Sequence, residues 1–223
     1  MFNHILPFLS DLADNNDRTW FAANRPRYDE ARSEVLDLTA EMIRQISVFD
    51  PEVRYLEPKE CLFRIYRDTR FSPNKMPYKL HFGTYIAAGG GSRSRRSGYY
   101  IHLQPDACTI AGGIWCSDNE QMKHFRSVID TEYDVLQEIM SEPQMVGLYG
   151  GRLVSFGNDL KRPPQGYRAD HPAIEWLKMK QWCVEHHFAD TLLDTPDALI
   201  AHLTTAAQAM MPFSKWCNRA MFE

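Results

Sequence analysis

The first 50 residues carry hydrophobic side chains at helical spacing. One apolar stripe consists of Ile5, Leu6, Phe8, Leu9 and Leu12. A second, longer stripe consists of Val35, Leu38, Met42, Ile43 and Ile46. Residues 15–17 (Asn-Asn-Asp) interrupt the pattern and are suited to cap a short helix that carries Trp20 and Phe21. Pro26 suits the first turn of the next helix, so this part of the chain is predicted to be helical.

From residue 61 the hydrophobic pattern alternates, which is typical of a strand. Residues 61–69 form the first predicted strand, with the apolar odd positions facing a core. Arg64, Tyr66 and Asp68 then share the opposite face, because successive side chains of a strand point to opposite sides. The turn-rich residues 72–77 are expected to hang beside the sheet and to bring Lys75, Tyr78 and Lys79 inward.

Three more strands are predicted at residues 83–88, 99–103 and 108–115. With Ile101 facing inward, Tyr100, His102 and Gln104 share the polar side of the second of these strands. Gly112 and Gly113 indicate a bulge or a close backbone approach. Residues 89–98, rich in glycine, serine and arginine, are expected to form a disordered, solvated hairpin tip.

The remainder of the chain returns mainly to helix. Helices are predicted from a cap at Ser117 and Asp118 to about residue 140, over 171–180 and over 196–210. Residues 147–157 are expected to be loop or short strand, and residues 181–188 an edge strand. The pattern predicts an α+β fold, with N-terminal and C-terminal helices packed against a mainly antiparallel central sheet.

The length suits a single domain over residues 1–223. Within it we distinguish a helical part (1–50), a strand-rich basic core (59–116) and a mainly helical part (117–223). Five scattered cysteines without a Cys-x-x-Cys motif are typical of reduced thiols. The sequence shows neither a signal peptide nor a membrane-spanning run, so a cytoplasmic location is expected.

Charge is distributed unevenly along the chain. Residues 59–102 contain nine Lys or Arg and two acidic residues, for a net charge of +7, whereas the whole chain has a net charge of −4. The rest of the chain is therefore at −11. A concentrated positive field attracts anions even on an acidic protein, so the basic segment is the predicted site of function.

Two long motifs resemble a known bacterial family. The first contains Asn15, Asn16, Arg18, Trp20, Phe21, Asn24, Arg25 and Tyr28. The second occupies residues 63–79, and shorter matches follow at 98–103, 112–115 and 164–167. Together they resemble the conserved hypothetical proteins called domain of unknown function 2461, apart from Cys116, where the family pattern has a proline. The resemblance implies a single-domain cytosolic protein and supplies no activity.

The basic segment is predicted to bind a small phosphate- or carboxylate-bearing ligand on the sheet face. Arginine offers a planar fork of donors for such groups and lysine a point charge. The predicted ligand-binding residues are Arg64, Tyr66, Arg67, Asp68, Arg70, Lys75, Tyr78 and Lys79. Asp68 is expected to pair with Arg64 or Arg67, which leaves Arg70, Lys75 and Lys79 for the ligand. Phe71 and Tyr78 are expected to pack rather than to stack on bases.

Two alternatives remain open. In an enzyme, His102 would act as general acid or base, with Tyr66 or Tyr78 as donor. In an RNA- or protein-interaction module, Arg93, Arg95 and Arg96 of the 89–98 loop would contact the partner. The sequence carries no phosphate-binding loop and no nucleophile elbow. No metal site and no cofactor are predicted.

Overall fold

The computed structural model describes residues 2–70, 72–115 and 118–222. Its helices are α1 Ile5–Asp14, α2 Arg18–Ala23, α3 Arg25–Ile46, α4 Pro58–Cys61, α5 Asn119–Thr131, α6 Tyr133–Ser141, α7 Pro143–Tyr149, α8 Ile174–Leu177 and α9 Pro196–Phe222. Its strands are β1 Phe82–Ile86, β2 Tyr99–Leu103, β3 Thr109–Trp115 and β4 Gln181–His187. The strands form one antiparallel sheet in the order β1-β2-β3-β4, so the predicted α+β class is confirmed.

The chain divides into two compact units. Unit 1 contains residues 1–94, 99–110 and 187–205. Unit 2 contains residues 95–98, 111–186 and 206–223. Both β3 and α9 contribute residues to each unit. The single domain inferred from chain length stays a prediction.

The N-terminal helices of unit 1 follow the predicted pattern. The α1 stripe is buried at Ile5, Phe8, Leu9 and Leu12. Asp17 caps α2, since its carboxylate accepts hydrogen bonds from the backbone N–H groups of Thr19 and Trp20 at 2.8 and 2.9 Å. Proline at the start of α3 costs no hydrogen bond, because the first N–H groups of a helix have no intrahelical acceptor.

Strands β1 and β2 pair antiparallel with Gly83 opposite His102. Their inner face is buried and consists of Phe82, Thr84, Ile86, Tyr99, Ile101 and Leu103. This face packs on the N-terminal helices: Thr84 Oγ1 lies 3.2 Å from Thr39 Oγ1 of α3, and the Phe82 and Tyr28 rings stack at 6.0 Å. The alternate residues form the outer face, where Tyr85, Tyr100, His102 and Gln104 are half-buried.

The predicted strand at 61–69 is not a regular strand. Its first residue ends α4, and the following residues pair only through isolated bridges, Leu62 with Thr84 and Tyr66 with Tyr78. The N–H of Phe63 donates to the carbonyl of Gly83 in β1. The N–H of Lys79, just before β1, donates to the carbonyl of Ile65. Side-chain alternation was nevertheless predicted correctly, since Ile65 is buried and Arg64, Tyr66 and Asp68 are exposed.

Unit 2 has its own core, in which Phe125, Leu136, Trp182 and Phe213 are almost fully buried. Asp118 caps α5 by accepting the N–H of Gln121 at 2.8 Å, while Ser117, Cys116 and Phe71 lie outside the described residues. None of the helices in the described part of the chain has an apolar run long enough to cross a bilayer.

Several helix boundaries in this half were predicted wrongly. The helix expected to reach residue 140 is broken at Glu132, where α6 begins anew. Gly147 lies inside α7, the helix predicted at 171–180 is the short α8, and α9 continues to Phe222. Tertiary burial of Phe213, Trp216 and Cys217 explains the length of α9, since the proline at 212 argues against helix locally.

Candidate functional site

The cations at both ends of residues 67–77 hold that loop closed. The guanidinium of Arg67 donates to the Met76 carbonyl at 3.2 Å, and its backbone N–H donates to the Pro77 carbonyl at 2.9 Å. Lys75 Nζ donates to the Thr69 carbonyl at 3.0 Å. Two of the residues predicted to bind a ligand therefore satisfy backbone acceptors of their own loop.

Asp68 pairs with Arg70, and the predicted pairing with Arg64 or Arg67 is wrong. Arg70 donates through Nε to Oδ1 at 3.0 Å and through Nη2 to Oδ2 at 2.7 Å. The backbone N–H of Arg70 also donates to Asp68 at 3.2 Å. These bonds lower the pKa of Asp68 and raise that of Arg70. The pair is exposed, so it shapes the loop with little effect on stability.

Arg64 and Lys79 differ from the other cations in their surroundings. Among the described residues, neither side chain makes a hydrogen bond or an ion pair. Arg64 is exposed, whereas Lys79 is half-buried with Nζ 5.4 Å from the centre of the Phe63 ring. Burial, followed by the charge of Arg64, lowers the pKa of Lys79. The charge of Arg64 thus acts on Lys79, and within the described part of the chain Lys79 makes no ion pair with a carboxylate.

The two tyrosines of the motif belong to an aromatic cluster with Phe21. Tyr78 is buried and stacks on Phe21 with ring centres 4.0 Å apart. Its backbone N–H donates to Asn16 Oδ1, and its carbonyl accepts from Asn16 Nδ2, both across 3.1 Å. Tyr66 is 46% exposed and its ring lies 5.3 Å from that of Tyr78. Packing is therefore the structural role of Tyr78, as expected.

His102 lies on the outer face in a chain of hydrogen bonds. Its Nδ1 is 3.0 Å from the Tyr100 hydroxyl, and its Nε2 is 3.1 Å from Gln104 Oε1. Burial raises the pKa of Tyr100 to about 12, so the phenol keeps its proton at neutral pH. Both ring nitrogens of His102 are therefore engaged, and the tyrosine that bonds it is Tyr100. Acid or base chemistry by His102 with Tyr66 or Tyr78 stays a prediction.

His81 is a candidate site residue that the sequence pattern did not indicate. Its ring centre lies 4.3 Å from that of His102. Among the described residues its ring nitrogens make no hydrogen bond. Burial, followed by the charges of His102 and Lys79, lowers its pKa to about 4. Alternation from Gly83 places residue 81 on the outer face, but the predicted strand began at 83 and left His81 in a connection.

The 89–98 loop is ordered, contrary to the expected disordered tip. A 3-10 turn spans Gly91–Arg93, and Ser92 Oγ donates to the Glu60 carbonyl at 2.6 Å. Gly91 adopts a positive φ against the backbone of Glu60, where a Cβ atom would lie 2.9 Å from it. Its N–H donates to the Ala87 carbonyl at 3.0 Å, so it is not offered to a ligand.

The arginines of this loop fall in both units. Arg93, in unit 1, and Arg95, in unit 2, are exposed. The guanidinium of Arg96 lies 5.5 Å from the centre of the Phe222 ring, both in unit 2. Contact of these arginines with a nucleic acid or protein stays a prediction. No cluster of three or more His, Cys, Asp or Glu side chains suited to a metal ion occurs within residues 2–70, 72–115 and 118–222.

Comparison with known proteins places the chain in a family. Residues 4–216 match the family described as conserved hypothetical protein, domain of unknown function 2461. This range includes the motif residues from Asn15 to Lys79 and both outer-face histidines. Comparisons with curated proteins and with solved structures give no match. Because the match covers nearly the whole chain, the protein belongs to the domain of unknown function 2461 family of conserved hypothetical proteins.

Proposed function

We propose that the protein binds a small anionic ligand, bearing a phosphate or carboxylate group, on the outer face of its sheet. The proposed oxyanion site consists of Arg64, Lys79, His81 and His102. The main support for the proposal is electrostatic. The charge of Arg64 lowers the pKa of Lys79, and the charges of His102 and Lys79 lower the pKa of His81. No carboxylate contributes to either shift.

An uncompensated group of cations is unfavourable in an empty site. Like charges that are partly removed from water repel one another more strongly than they do in bulk solvent. If these residues had only a structural role, we would expect a carboxylate to form an ion pair with them, as Asp68 does with Arg70 in the adjacent loop. A bound anion would supply the missing negative charge. Relief of the repulsion between the cations would then add to the binding free energy.

Neighbouring side chains give this site partly apolar walls. Phe63 lies beneath Lys79, and its ring centre is 6.1 Å from that of Tyr100. Tyr100 packs over Gly83, where a Cβ atom would lie 2.8 Å from the phenol oxygen. Partial burial strengthens charge-assisted hydrogen bonds, so Lys79 and His81 would hold an anion more firmly than exposed lysines do.

The proposed site keeps only two of the eight ligand-binding residues predicted from sequence. Arg67, Asp68, Arg70 and Lys75 hold the 67–77 loop in shape and are assigned to the support of the site. Tyr66 and Tyr78 are assigned to the aromatic cluster on Phe21. Arg64 and Lys79 are retained as ligand contacts, and His81 is added.

Thermal unfolding in sodium sulfate and in sodium chloride at matched ionic strength tests the proposal. We expect sulfate to raise the Tm of the protein by several degrees near saturation, because a ligand that binds only the native state stabilises it. Lys79→Met should remove most of this increase. The matched control is Lys59→Met, which deletes an exposed positive charge from α4 and should leave the sulfate effect intact.

Two results would contradict the proposal. One is an equal Tm in the two salts. The other is a sulfate effect that Lys79→Met and Lys59→Met reduce equally, which would assign it to the general stabilisation of folded proteins by sulfate.

A further inference from the structure

We infer that the oxyanion site takes a ligand group with two negative charges, such as a phosphate monoester, and that His81 binds a proton as this ligand enters. The inference rests on the proposed anion site and specifies its ligand class. It also gives His81 a role that neither the sequence motifs nor the family supplies.

The number of fixed charges favours a dianion over a monoanion. Arg64 and Lys79 both carry a positive charge at neutral pH, and among the described residues neither makes an ion pair. The carboxylate of Asp68, whose pKa Arg64 helps to lower, is already bonded to Arg70. A carboxylate ligand would neutralise one of these two charges and leave the other unmatched. A tetrahedral dianion would neutralise both and would present oxygens to a third donor.

The third donor follows from the hydrogen bonds of the two histidines. Gln104 Oε1 can only accept, so Nε2 of His102 donates to it across 3.1 Å, and the neutral ring then accepts the Tyr100 hydroxyl proton at Nδ1 across 3.0 Å. Both ring nitrogens of His102 thus have hydrogen-bond partners. The nitrogens of His81 have no such bonds among the described residues, so His81 is the imidazole with donors to offer.

Every charged or titratable group known to act on His81 in unit 1 disfavours its protonation while the site is empty. Lys79, two residues away, and His102 on β2 both lower its pKa, in addition to the effect of burial. Arg64 acts on Lys79 in the same sense. Tyr100 remains a neutral phenol and Gln104 is uncharged. The negative charge of a ligand reverses this balance and stabilises the imidazolium.

Proton uptake makes the affinity depend on pH. The pKa of His81 in the empty site is about 4, against an ordinary value of 6.5. Binding strengthens as the pH falls below the pKa of the occupied site, by up to tenfold for each unit by which the ligand raises that pKa. Restoration of the ordinary value corresponds to roughly 100-fold or more between neutral pH and pH 4.

Isothermal titration calorimetry of the full chain with sulfate tests this inference. Sulfate stays a dianion across the range, so any proton exchanged belongs to the protein. Titrations at pH 5.0, 6.0 and 7.5, each in two buffers of different ionisation enthalpy, measure the protons taken up. If the ligand restores the ordinary pKa of His81, we expect uptake approaching one proton per sulfate at pH 5.0 and an affinity about 30-fold higher there than at pH 7.5.

Two comparisons sharpen the test. His81→Gln removes the ionisable group and should bind sulfate with the same affinity at every pH and without proton uptake. Methanesulfonate, a tetrahedral monoanion in which a methyl group replaces one oxygen of sulfate, should bind the wild-type protein at least 10-fold more weakly than sulfate.

The outcomes separate this inference from the proposed function. Sulfate binding that is equally tight at all three pH values, or uptake that persists in His81→Gln, would overturn the role of His81 and leave the anion site standing. Equal affinity for sulfate and methanesulfonate would overturn the dianion. Absence of sulfate binding at every pH would overturn the anion site itself.

Discussion

Within residues 64–79, the nearest acceptor decides what each cation does. Arg67 and Lys75 reach backbone carbonyls of their own loop, and Arg70 reaches Asp68. Arg64 acts electrostatically on Lys79, and neither side chain reaches an acceptor among the described residues. Side chains of one type therefore divide into loop supports and candidate ligand contacts, a distinction that their spacing in the sequence does not contain.

The low pKa of His81 predicts a pH-dependent contribution to stability. The folded pKa, about 4, lies below the ordinary value of 6.5, so the unfolded chain binds the proton more readily than the folded one. Stability is therefore lost as the pH falls from 6.5 towards 4. In chloride buffer, we expect the free energy of unfolding of His81→Gln to fall by roughly 1–2 kcal/mol less than that of wild type between pH 7.5 and 5.0.

Urea unfolding at each pH measures this difference. The comparison isolates His81, since other groups that titrate in this range are shared by the two proteins. Wild-type and His81→Gln stabilities that remain parallel from pH 7.5 to 5.0 would show that His81 is not held neutral by its surroundings.

At the scale of elements, close backbone approaches determine where glycine is required. In unit 2, a Cβ atom on Gly113 would lie 2.1 Å from the Trp182 carbonyl oxygen of β4, and φ at Gly113 is +137°. The neighbouring Gly112 would meet the Gly98 carbonyl and the sulfur of Met210 at 2.4 Å. The close backbone approach predicted for these glycines is present, whereas Gly147 is an exposed helical residue with no atom within 4 Å of its Cβ position.

These surroundings predict opposite effects for the same substitution. Gly113→Ala should destabilise the protein by about 3 kcal/mol or more, because β3 or β4 must shift to accept the methyl group. Gly147→Ala should stabilise it by ~0.5–1 kcal/mol, because alanine loses less backbone entropy than glycine in a helix. Chemical unfolding of both variants measures the two values. Similar changes of the same sign would contradict the assigned backbone geometry.

At the scale of the whole molecule, the long C-terminal helix supplies core residues that the predicted helix omitted. Residues 206–222 of α9 belong to unit 2. Beyond Met210, Phe213 and Cys217 are fully buried and Trp216 is 4% exposed. The indole N–H of Trp216 donates to Glu132 at 2.8 Å, and its ring lies 5.4 Å from that of Phe125. Unit 2 therefore depends on a segment more than 80 residues from Glu132 along the chain.

Truncation after Met210 should disrupt the core of unit 2. Loss of Phe213 and Trp216 alone removes on the order of 5 kcal/mol or more, a large part of the net stability of a typical protein. Near-UV circular dichroism and thermal melting should show loss of the tryptophan signal and of a cooperative transition. Truncation after Ala220 is the matched control, since it removes residues outside the range of the family match. Native-like melting of the 1–210 chain would contradict this role of α9.

Sequence alone determined the helical N-terminal part, the alternation of residues 61–69, the four strands of the sheet and the α+β class, because the period of a hydrophobic pattern reports local backbone geometry. It also located the basic segment and the family motifs. Tertiary structure decided that Asp68 pairs with Arg70, that Tyr100 reaches His102, and that His81 joins them. Those contacts depend on loop closure and on the pairing of β1 with β2, which brings residues 81–85 beside residues 100–104. Such pairing is set by packing between segments distant in sequence, and no local period encodes it.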